Sequence, residues 1–525
     1  MRLIAAVSIA ISLTRPAIAQ MNQQHDHHAM VSERLGTVSF PVSCNADVQR
    51  RFTRAVALLH SFWYEEAEKA FVEIATADPA CGMAWWGAAM SNYHQVWPTP
   101  YSPGELAKGM AAAQKAESIG AKTAREKGYI KAVSAFYRDA DTVDIIPRAR
   151  AYEAAMEQVT TDFPDDDEAA ILYGLALVAH GMSTPADKTY AYQKKAADIF
   201  NRLLVTHPDH PGIAHYLIHS FDYPSLAPLA LNAAYAYAKI APSSPHALHM
   251  PSHIFVRLGM WKETIDSNLR SANAAQQYAS RAHPGAMPFD TLHADDYLAY
   301  AYLQRGEDEK ARRVMNDLSA VKALDVENFA GYYALAAVPA RFTLERHRWA
   351  DAAALTVRPA GFPWDRYSYA EALTWFARAV GAARSGDPAR ARTDVERLKQ
   401  LRQKLNGYWA QQLDIQIHAS EGWIAHAEGH NDDAESALRS AADLEDSTDK
   451  SPVTPGSILP AREMLGDFLL ETNQPQKALD AYERSLKDSP NRLNGVSGAA
   501  RAAQLAGDRE KAHAYYVQLA KLLEQ

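Results

Sequence analysis

The sequence predicts an all-α solenoid of stacked helix pairs, and repeated patterns along the chain are the reason. Near the C-terminus, Ala478 and Tyr482 recur 34 residues later as Ala512 and Tyr516. A fixed period of this length marks one helix pair that is copied along the chain. Since each pair has an apolar face that it cannot bury alone, neighbouring pairs stack into one continuous core. We therefore expect residues 45–525 to form a single α-solenoid.

The small and aromatic residues of these copies resemble the tetratricopeptide repeat. One copy carries Gly466, Ala478, Tyr482 and Pro490 at the matching places, and the most regular copies lie at about 415–525. The resemblance implies a right-handed superhelix whose concave groove is lined by the first helix of each pair. The phrases "AFVEIATADPACGMAWWGAAM" and "PHALHMPSHIFVRLGMW" also resemble a family of exported bacterial tetratricopeptide proteins of unassigned activity.

The first residues are typical of a secretory signal peptide. Arg2 is followed by an apolar run from 3 to 13 and by the small-x-small triplet 17–19. We expect cleavage near Ala19 and a periplasmic or secreted bacterial protein, with 20–44 as a flexible segment; Arg15 within the signal leaves a retained anchor as the alternative. No other apolar run approaches the roughly 20 residues that cross a bilayer. No membrane span is therefore expected once the signal is removed.

The net charge narrows the possible classes of partner, and the two cysteines raise the separate question of a disulfide. Without Arg2 and Arg15, 52 of the 54 basic residues remain against 62 acidic ones, which leaves a net charge of about −10. An acidic surface disfavours a nucleic-acid partner. The chain has two cysteines, Cys44 and Cys81. Both an exported disulfide and a pair of free buried thiols stay open.

Four histidines repeat at the same period of 34 residues. His215 and His219 lie in "HPGIAHYLIHSFD", and His249 and His253 lie in "PHALHMPSHIF". Residues four apart share one face of a helix. The tetratricopeptide resemblance implies that all four face the groove. Further polar residues stand at positions that the resemblance assigns to the groove, in the central copies at about 211–305 and in the copy that follows them. They are His246, Asp222, Tyr223, His293, Asp296, Tyr300 and Arg341.

Imidazoles at this spacing indicate a metal site. Two histidines four apart can share one ion, and a second helix can complete a four-histidine site or hold a second ion. Asp222, Asp296, His246 and His293 are possible further ligands. With nitrogen and oxygen ligands, Zn or Cu is favoured over Fe, Mn or Ni. Pro251 lacks an N–H, so that we expect a kink or a late helix start, and either could turn His246 and His249 relative to His253.

The pattern leaves three functions open. The first is a binding module that holds a peptide or protein segment in its groove beside the metal. The second is a metal-dependent hydrolase or oxidase, with Asp222 or Asp296 as a weak candidate for the catalytic base. The third is an interaction scaffold without metal.

Several further expectations follow from local sequence. The connector 281–291 is the candidate cover over the histidines. His60 is expected in an exposed polar turn beside Glu65. The N-terminal histidines at 25, 27 and 28 are expected to have no specific role.

Overall fold

Helix pairs follow one another through the described parts of the chain, residues 33–96 and 103–524 of the computed structural model. Within these residues there is no β-strand, and one isolated bridge joins Met287 to Leu324. Each helix packs on its sequence neighbours, and alternate helices also pack together, as in a stacked solenoid. The predicted all-α fold of tetratricopeptide type is confirmed. From Arg34 onward the chain forms one unit.

Short 3-10 helices occupy Ala46–Val48, Ala227–Ala230 and Trp364–Arg366. The α-helices, in chain order, are α1 (Gln49–His60), α2 (Tyr64–Ala77), α3 (Gly82–Ser91), α4 (Pro103–Ile119), α5 (Ala124–Tyr137), α6 (Ile145–Asp162), α7 (Asp167–Met182), α8 (Ala191–Leu204), α9 (Pro211–Phe221), α10 (Leu231–Ile240), α11 (Pro245–His249), α12 (Pro251–Arg257), α13 (Trp261–Ala282), α14 (Phe289–Gln304), α15 (Asp308–Ser319), α16 (Phe329–Glu345), α17 (Trp349–Ala353), α18 (Ser368–Arg384), α19 (Pro388–Arg402), α20 (Gly407–Ala427), α21 (Asn431–Asp446), α22 (Ala461–Glu471), α23 (Pro475–Asp488), α24 (Leu493–Ala506) and α25 (Arg509–Glu524).

The small and aromatic positions of the C-terminal copies pack directly against each other. Ala478 and Tyr482 of α23 are buried. A Cβ atom on Gly466 would lie 2.8 Å from the Tyr482 ring, and one on Gly498 would lie 2.3 Å from it. Only glycine leaves room for the ring at these two places. This contact explains why the repeat pairs a glycine with an aromatic residue.

Prolines begin α9, which carries His215 and His219, and α11, which carries His249. Pro211 is the first residue of α9, and Pro245 is the first residue of α11. A missing N–H costs nothing there, because the first turn of a helix has no internal acceptor for it. The Ser244 hydroxyl accepts a hydrogen bond from the Ala247 N–H and caps α11.

The segment before the first helix is packed, so that the prediction of a flexible 20–44 is wrong for residues 34–44. The buried Phe40 ring contacts the rings of Phe52, Trp86 and Tyr129. The Thr37 N–H donates to the Asp209 carbonyl. The signal peptide, the rest of this segment up to residue 32 and the histidines at 25, 27 and 28 lie outside the described residues.

The two cysteines form a disulfide. Cys44 precedes the first short helix, Cys81 caps α3, and their Cα atoms are 5.0 Å apart. The bridge joins positions 37 residues apart in sequence. Among the described residues, no helix has the length and apolar character needed to span a membrane.

Changing both Cys44 and Cys81 to Ser should lower the free energy of unfolding of the N-terminal repeats by about 2–4 kcal/mol. The bridge closes a long loop and so removes entropy from the unfolded chain. Thermal unfolding with and without reductant measures the effect. Reductant should destabilise the wild-type protein and leave the double variant unchanged. A double variant as stable as the oxidised wild type would contradict the prediction.

Candidate metal centre

Six buried histidines from four helices converge in two groups of three. The first triad is His215 and His219 of α9 with His246 of α11, and the second triad is His249, His253 and His293 of α11, α12 and α14. In each triad, one potential ligand atom of every residue lies within 4.8 Å of the others. The six side chains are between 0% and 6% exposed. The structure therefore brings together the four repeated histidines and both additional ones.

The ring nitrogens point at one another at short range. His215 Nε2 lies 3.2 Å from both His219 Nε2 and His246 Nε2. In the second triad, His249 Nε2 lies 3.0 Å from His253 Nε2. Two nitrogens about 2.1 Å from one ion at a tetrahedral angle would be about 3.4 Å apart. These three separations are close to this value, and the remaining pairs within each triad lie within 4.8 Å, so that each triad could hold one metal ion.

The break at Pro251 does not separate His249 from His253. Helix α11 ends at His249 and α12 begins at Pro251, but Met250 between them keeps helical dihedrals, with φ −52° and ψ −36°. Its carbonyl still accepts from the His253 N–H. The expected break in the helix is therefore present at this proline, but it does not turn the two rings apart, since their Nε2 atoms lie 3.0 Å from each other.

The two triads are neighbours. The ring centroids of His219 and His253 are 5.9 Å apart, and those of His246 and His249 are 6.1 Å apart. His293, on the third helix of the cluster, has its ring centroid 4.3 Å from that of His249. Ions held in the two triads would therefore form a pair.

Hydrogen bonds on the far side of three rings fix where their protons are. His215 Nδ1 lies 2.7 Å from the His60 carbonyl oxygen, and His253 Nδ1 lies 3.0 Å from Asp222 Oδ2. A carbonyl or carboxylate oxygen only accepts, so that Nδ1 donates in both rings. In a neutral imidazole this leaves the lone pair on Nε2, which is the atom that faces the cluster.

Asn268 fixes the third ring in the same way. Its Oδ1 lies 2.6 Å from His249 Nδ1, while its Nδ2 donates to the Thr264 carbonyl. Because Nδ2 is already directed at a carbonyl, Oδ1 is the acceptor and His249 Nδ1 carries the proton. The lone pair of His249 Nε2 is then aimed at the lone pair of His253 Nε2. These two rings supply no proton for the 3.0 Å contact.

A cation between the two nitrogens would remove this unfavourable contact. A proton is not suited to that role, because both rings are difficult to protonate. Burial lowers the pKa of His249 well below its usual value, and burial also lowers that of His253, although Asp222 opposes the shift. The pKa of His215 falls to about 3 for the same reason. Neutral imidazoles with inward lone pairs are the form that coordinates a metal.

Asp222 positions His253 and is not placed as a ligand. Its Oδ2 accepts from His253 Nδ1 and from Lys450 Nζ at 3.0 Å, and its Oδ1 accepts from Arg257 Nε at 2.8 Å. Both oxygens are thus engaged on the far side of the ring. Burial opposes ionisation, but Lys450 and Arg257 hold the pKa of Asp222 well below its usual range. The expectation that Asp222 is a ligand or base is corrected to a positioning role.

The other predicted polar residues lie beside the triads and outside them. Asp296 pairs with Arg341 at 3.4 Å, and burial raises the pKa of Asp296 to about 6. Arg341 also donates to the Ser457 carbonyl at 2.7 Å. Tyr300 Oη accepts from Arg492, and Tyr223 Oη accepts from Gln193.

The cover over the histidines comes from two segments that the sequence did not single out. The Phe62 ring, in the turn after α1, lies 4.3 Å from the His215 ring and 5.5 Å from the His246 ring, between centroids. The segment 449–457 covers the second triad, where the Tyr297 hydroxyl donates to the Pro452 carbonyl. The predicted cover, 281–291, instead bonds to 323–325 through Met287.

His60 is buried, so that its predicted place in an exposed turn is wrong. Its Nε2 donates to Glu168, its Nδ1 accepts from the Tyr216 hydroxyl, and His210 Nε2 donates to the other oxygen of Glu168. His60, Glu168 and His210 are close enough to bind an ion. Here, however, each facing pair has one donor and one acceptor, so that the group is stable without a cation. Its role is to hold the His60 carbonyl against His215.

A cavity of about 490 Å³ lies next to the cover. Arg257, Lys450 and Thr454 contribute to its wall, together with the rings of Tyr300 and Tyr333. None of the six histidines lines it. The cavity therefore adjoins Arg257 and Lys450, the charged partners of Asp222, and not the six histidines.

Fold and site together define a helix-pair solenoid of tetratricopeptide type with a buried six-histidine cluster. No protein-family model matches the sequence, and no curated protein matches it.

Solved structures resemble the chain at low identity. The human IFIT1 dimer with PPP-AAAA is 11% identical over 90% of this chain and 89% of that one, with a TM-score of 0.40. A tetratricopeptide repeat protein from Parabacteroides merdae is 12% identical over 65% of this chain and 99% of that one, with a TM-score of 0.34. At these TM-scores we transfer no ligand or partner.

Protein stripped of metal by a chelator should lose stability as the pH falls below about 6.5. Burial lowers the pKa of His215 and His293 to about 3, so that the unfolded chain binds protons that the folded chain excludes. This stabilising contribution to the free energy of unfolding is complete above pH 6.5, the ordinary pKa of histidine in the unfolded chain, and is lost progressively as the pH falls toward 3. Melting temperatures across this range measure it. The variant His293→Phe should show a shallower fall, and equal slopes would contradict the assignment.

Proposed function

We propose that this protein is an exported metalloprotein that holds two metal ions, one in each histidine triad. The observation that carries the proposal is the contact between His249 Nε2 and His253 Nε2 at 3.0 Å. Both rings have their proton committed on Nδ1, to Asn268 and to Asp222. A buried arrangement of two opposed lone pairs is unfavourable unless a cation lies between them.

The ligand set suits Zn or Cu. Each triad supplies three neutral nitrogens and no thiolate or carboxylate. Three protein ligands also leave a coordination position open on each ion, which is the arrangement of catalytic sites and not of closed structural sites. The hydrogen bonds to Nδ1 of three ligands fix the tautomer and orientation of each ring, as outer contacts do in metal centres.

Burial favours an enzyme over a module that presents metal to a partner. The six histidines are at most 6% exposed and lie beneath Phe62 and the segment 449–457. A peptide or protein bound in a groove would have no contact with ions at this depth, whereas a small molecule could reach them. Binding of a peptide elsewhere on the solenoid is supported by the architecture alone.

Export is supported by two features of the chain. The N-terminal residues have the composition of a cleaved signal, and Cys44 and Cys81 are bonded. Structural disulfides persist in oxidising compartments such as the bacterial periplasm. We place the protein there or outside the cell.

Elemental analysis of the purified mature protein tests the metal proposal. The wild-type chain should carry about two ions, and the double variant His219→Ala, His253→Ala should carry few or none, because each triad loses one of its three ligands. The matched control is His430→Ala, an exposed histidine that should leave metal content unchanged. Equal metal content in the double variant and the wild type, with both folded by circular dichroism, would refute the proposal.

Replacing Asp222 with Asn should weaken metal binding at the second triad about 10–100-fold without removing it. The variant loses the negative charge that orients His253 and that forms ion pairs with Arg257 and with Lys450. Competition with a chromophoric chelator measures the affinity. Asp394→Asn is the control, since Asp394 is also a buried partner of an arginine but lies outside the cluster. The prediction fails if both variants bind metal like the wild type.

A further inference from the structure

The cavity beside the segment 449–457 is a second place where a small molecule can bind. Its volume of about 490 Å³ is that of an ordinary small-molecule site. Since none of the six histidines contributes to its wall, the ligand of this cavity is a separate question from the metal centre. The chemistry of the wall decides which class of molecule fits.

A row of aromatic rings from successive helices forms part of the wall. The rings are Tyr300 of α14, Tyr333 of α16, Tyr369 of α18, and Tyr408 and Trp409 of α20. Between centroids, the Tyr369 ring lies 6.3 Å from that of Tyr333 and 4.4 Å from that of Trp409. Tyr408 and Trp409 are only partly buried. The negative face of an aromatic ring attracts C–H bonds that are polarised by neighbouring oxygen atoms.

Charges of both signs line the cavity in nearly equal number. The cations are Lys188, Arg257, Lys450, Arg462 and Lys487, and the carboxyl groups are Glu445, Asp446, Asp449 and Asp488. Asp222 lies behind the wall and pairs with Arg257 and with Lys450. With Asp222 included, five cations face five carboxyl groups.

Most of these charges are already paired inside the protein. Asp449 pairs with Lys188 at 2.7 Å, and Arg462 pairs with Asp446. Burial raises the pKa of Glu445 to about 7, so that this carboxyl is partly neutral near pH 7. A charged ligand would have to break one of these pairs or leave its own charge unpaired, and both are costly at buried positions. The cavity therefore favours an uncharged molecule.

Hydrogen-bonding groups of both kinds occur beside the rings. Gln416 Nε2 donates to the Tyr369 hydroxyl at 3.2 Å, while Gln416 Oε1 is a buried acceptor without a partner among the described residues. Arg462 Nε is a buried donor that lacks a partner in the same part of the chain. Unpaired buried polar atoms cost free energy. A hydroxyl group can donate to the first atom and accept from the second, so that a molecule with several hydroxyl groups suits this wall.

We propose that the cavity binds a neutral oligosaccharide of about two sugar rings. The C–H faces of the sugar pack on the tyrosine and tryptophan rings, and its hydroxyl groups form hydrogen bonds with Gln416 and Arg462. The inference goes beyond the proposed function and does not depend on it, because no histidine of the two triads lines the cavity.

Calorimetric titration of the purified protein with defined sugars tests the proposal. The probes are the neutral disaccharides cellobiose, maltose and N,N′-diacetylchitobiose. At least one of them should bind with a Kd below about 1 mM. Its counterpart with one hydroxymethyl group oxidised to a carboxylate should bind about tenfold more weakly or less, because the added charge is unpaired. Failure of all the neutral probes to bind, or equal binding of the carboxylate, would overturn the proposal.

Variants of α20 locate the bound sugar. Gln416→Met keeps the length of the side chain, removes its amide and should weaken binding about tenfold. Gln411→Met is the matched control, since Gln411 lies outside the cavity and donates to the Ser447 hydroxyl. Trp409→Leu, at a partly buried position, should also weaken binding. The assignment is overturned if either cavity variant is folded by circular dichroism and binds the sugar like the wild type.

The same titration on protein stripped of metal separates this inference from the proposed function. We expect equal sugar affinity with and without metal, so that failure of the metal proposal leaves the sugar site standing. Sugar binding that disappears with the metal would place the sugar at the histidines and overturn the cavity as its site. Tighter binding of an uncharged peptide, acetyl-trialanine amide, than of any disaccharide would overturn the choice of a sugar.

Discussion

The organisation of the centre depends on one constraint, the opposition of two nitrogen lone pairs on His249 and His253. It exists because Asn268 and Asp222 hold the protons of these rings on the opposite side. The acceptors come from different parts of the chain, Asn268 from α13 and Asp222 from the end of α9. In the first triad, the carbonyl of His60 at the end of α1 does the same for His215. The stacking of these helices is therefore what sets the tautomers, and the tautomers decide whether the cluster can bind a cation.

Burial acts on this centre in two ways that support each other. It lowers the pKa of the histidines, so that the rings stay neutral, and the rings of His249 and His253 keep the inward lone pairs that their Nδ1 hydrogen bonds set. It also makes the neighbouring charges of Asp222, Arg257 and Lys450 effective, because little water screens them. By contrast, His60, Glu168 and His210 are equally buried and equally close, yet their donors and acceptors match. The distance between potential ligands is thus a weaker criterion for a metal site than the question whether each acceptor atom faces a hydrogen-bond donor.

Much of this centre could be predicted from the 34-residue period, and the rest could not. His215, His219, His249 and His253 stand at repeat positions, so that periodicity alone placed them on one side of the solenoid. Nothing periodic marks the residues that complete the site. The turn residue Phe62 and the segment 449–457 reach it from distant repeats, where they form connections and not helices. The flexibility expected before residue 45 is wrong for the same reason, because the Phe40 ring is held by residues of later helices and this contact leaves no periodic pattern in the sequence.

The sequence by itself determined the class of fold and the pairing of the histidines, because both depend on local helical periodicity and on apolar faces that must be covered. It also determined the net negative charge and the presence of two cysteines. Only the tertiary structure decided that His246 and His293 complete two triads, that Asp222 serves as a positioning group, and which segment covers the site. These features depend on contacts between residues far apart in the chain, where desolvation and charge are set by packing and not by spacing.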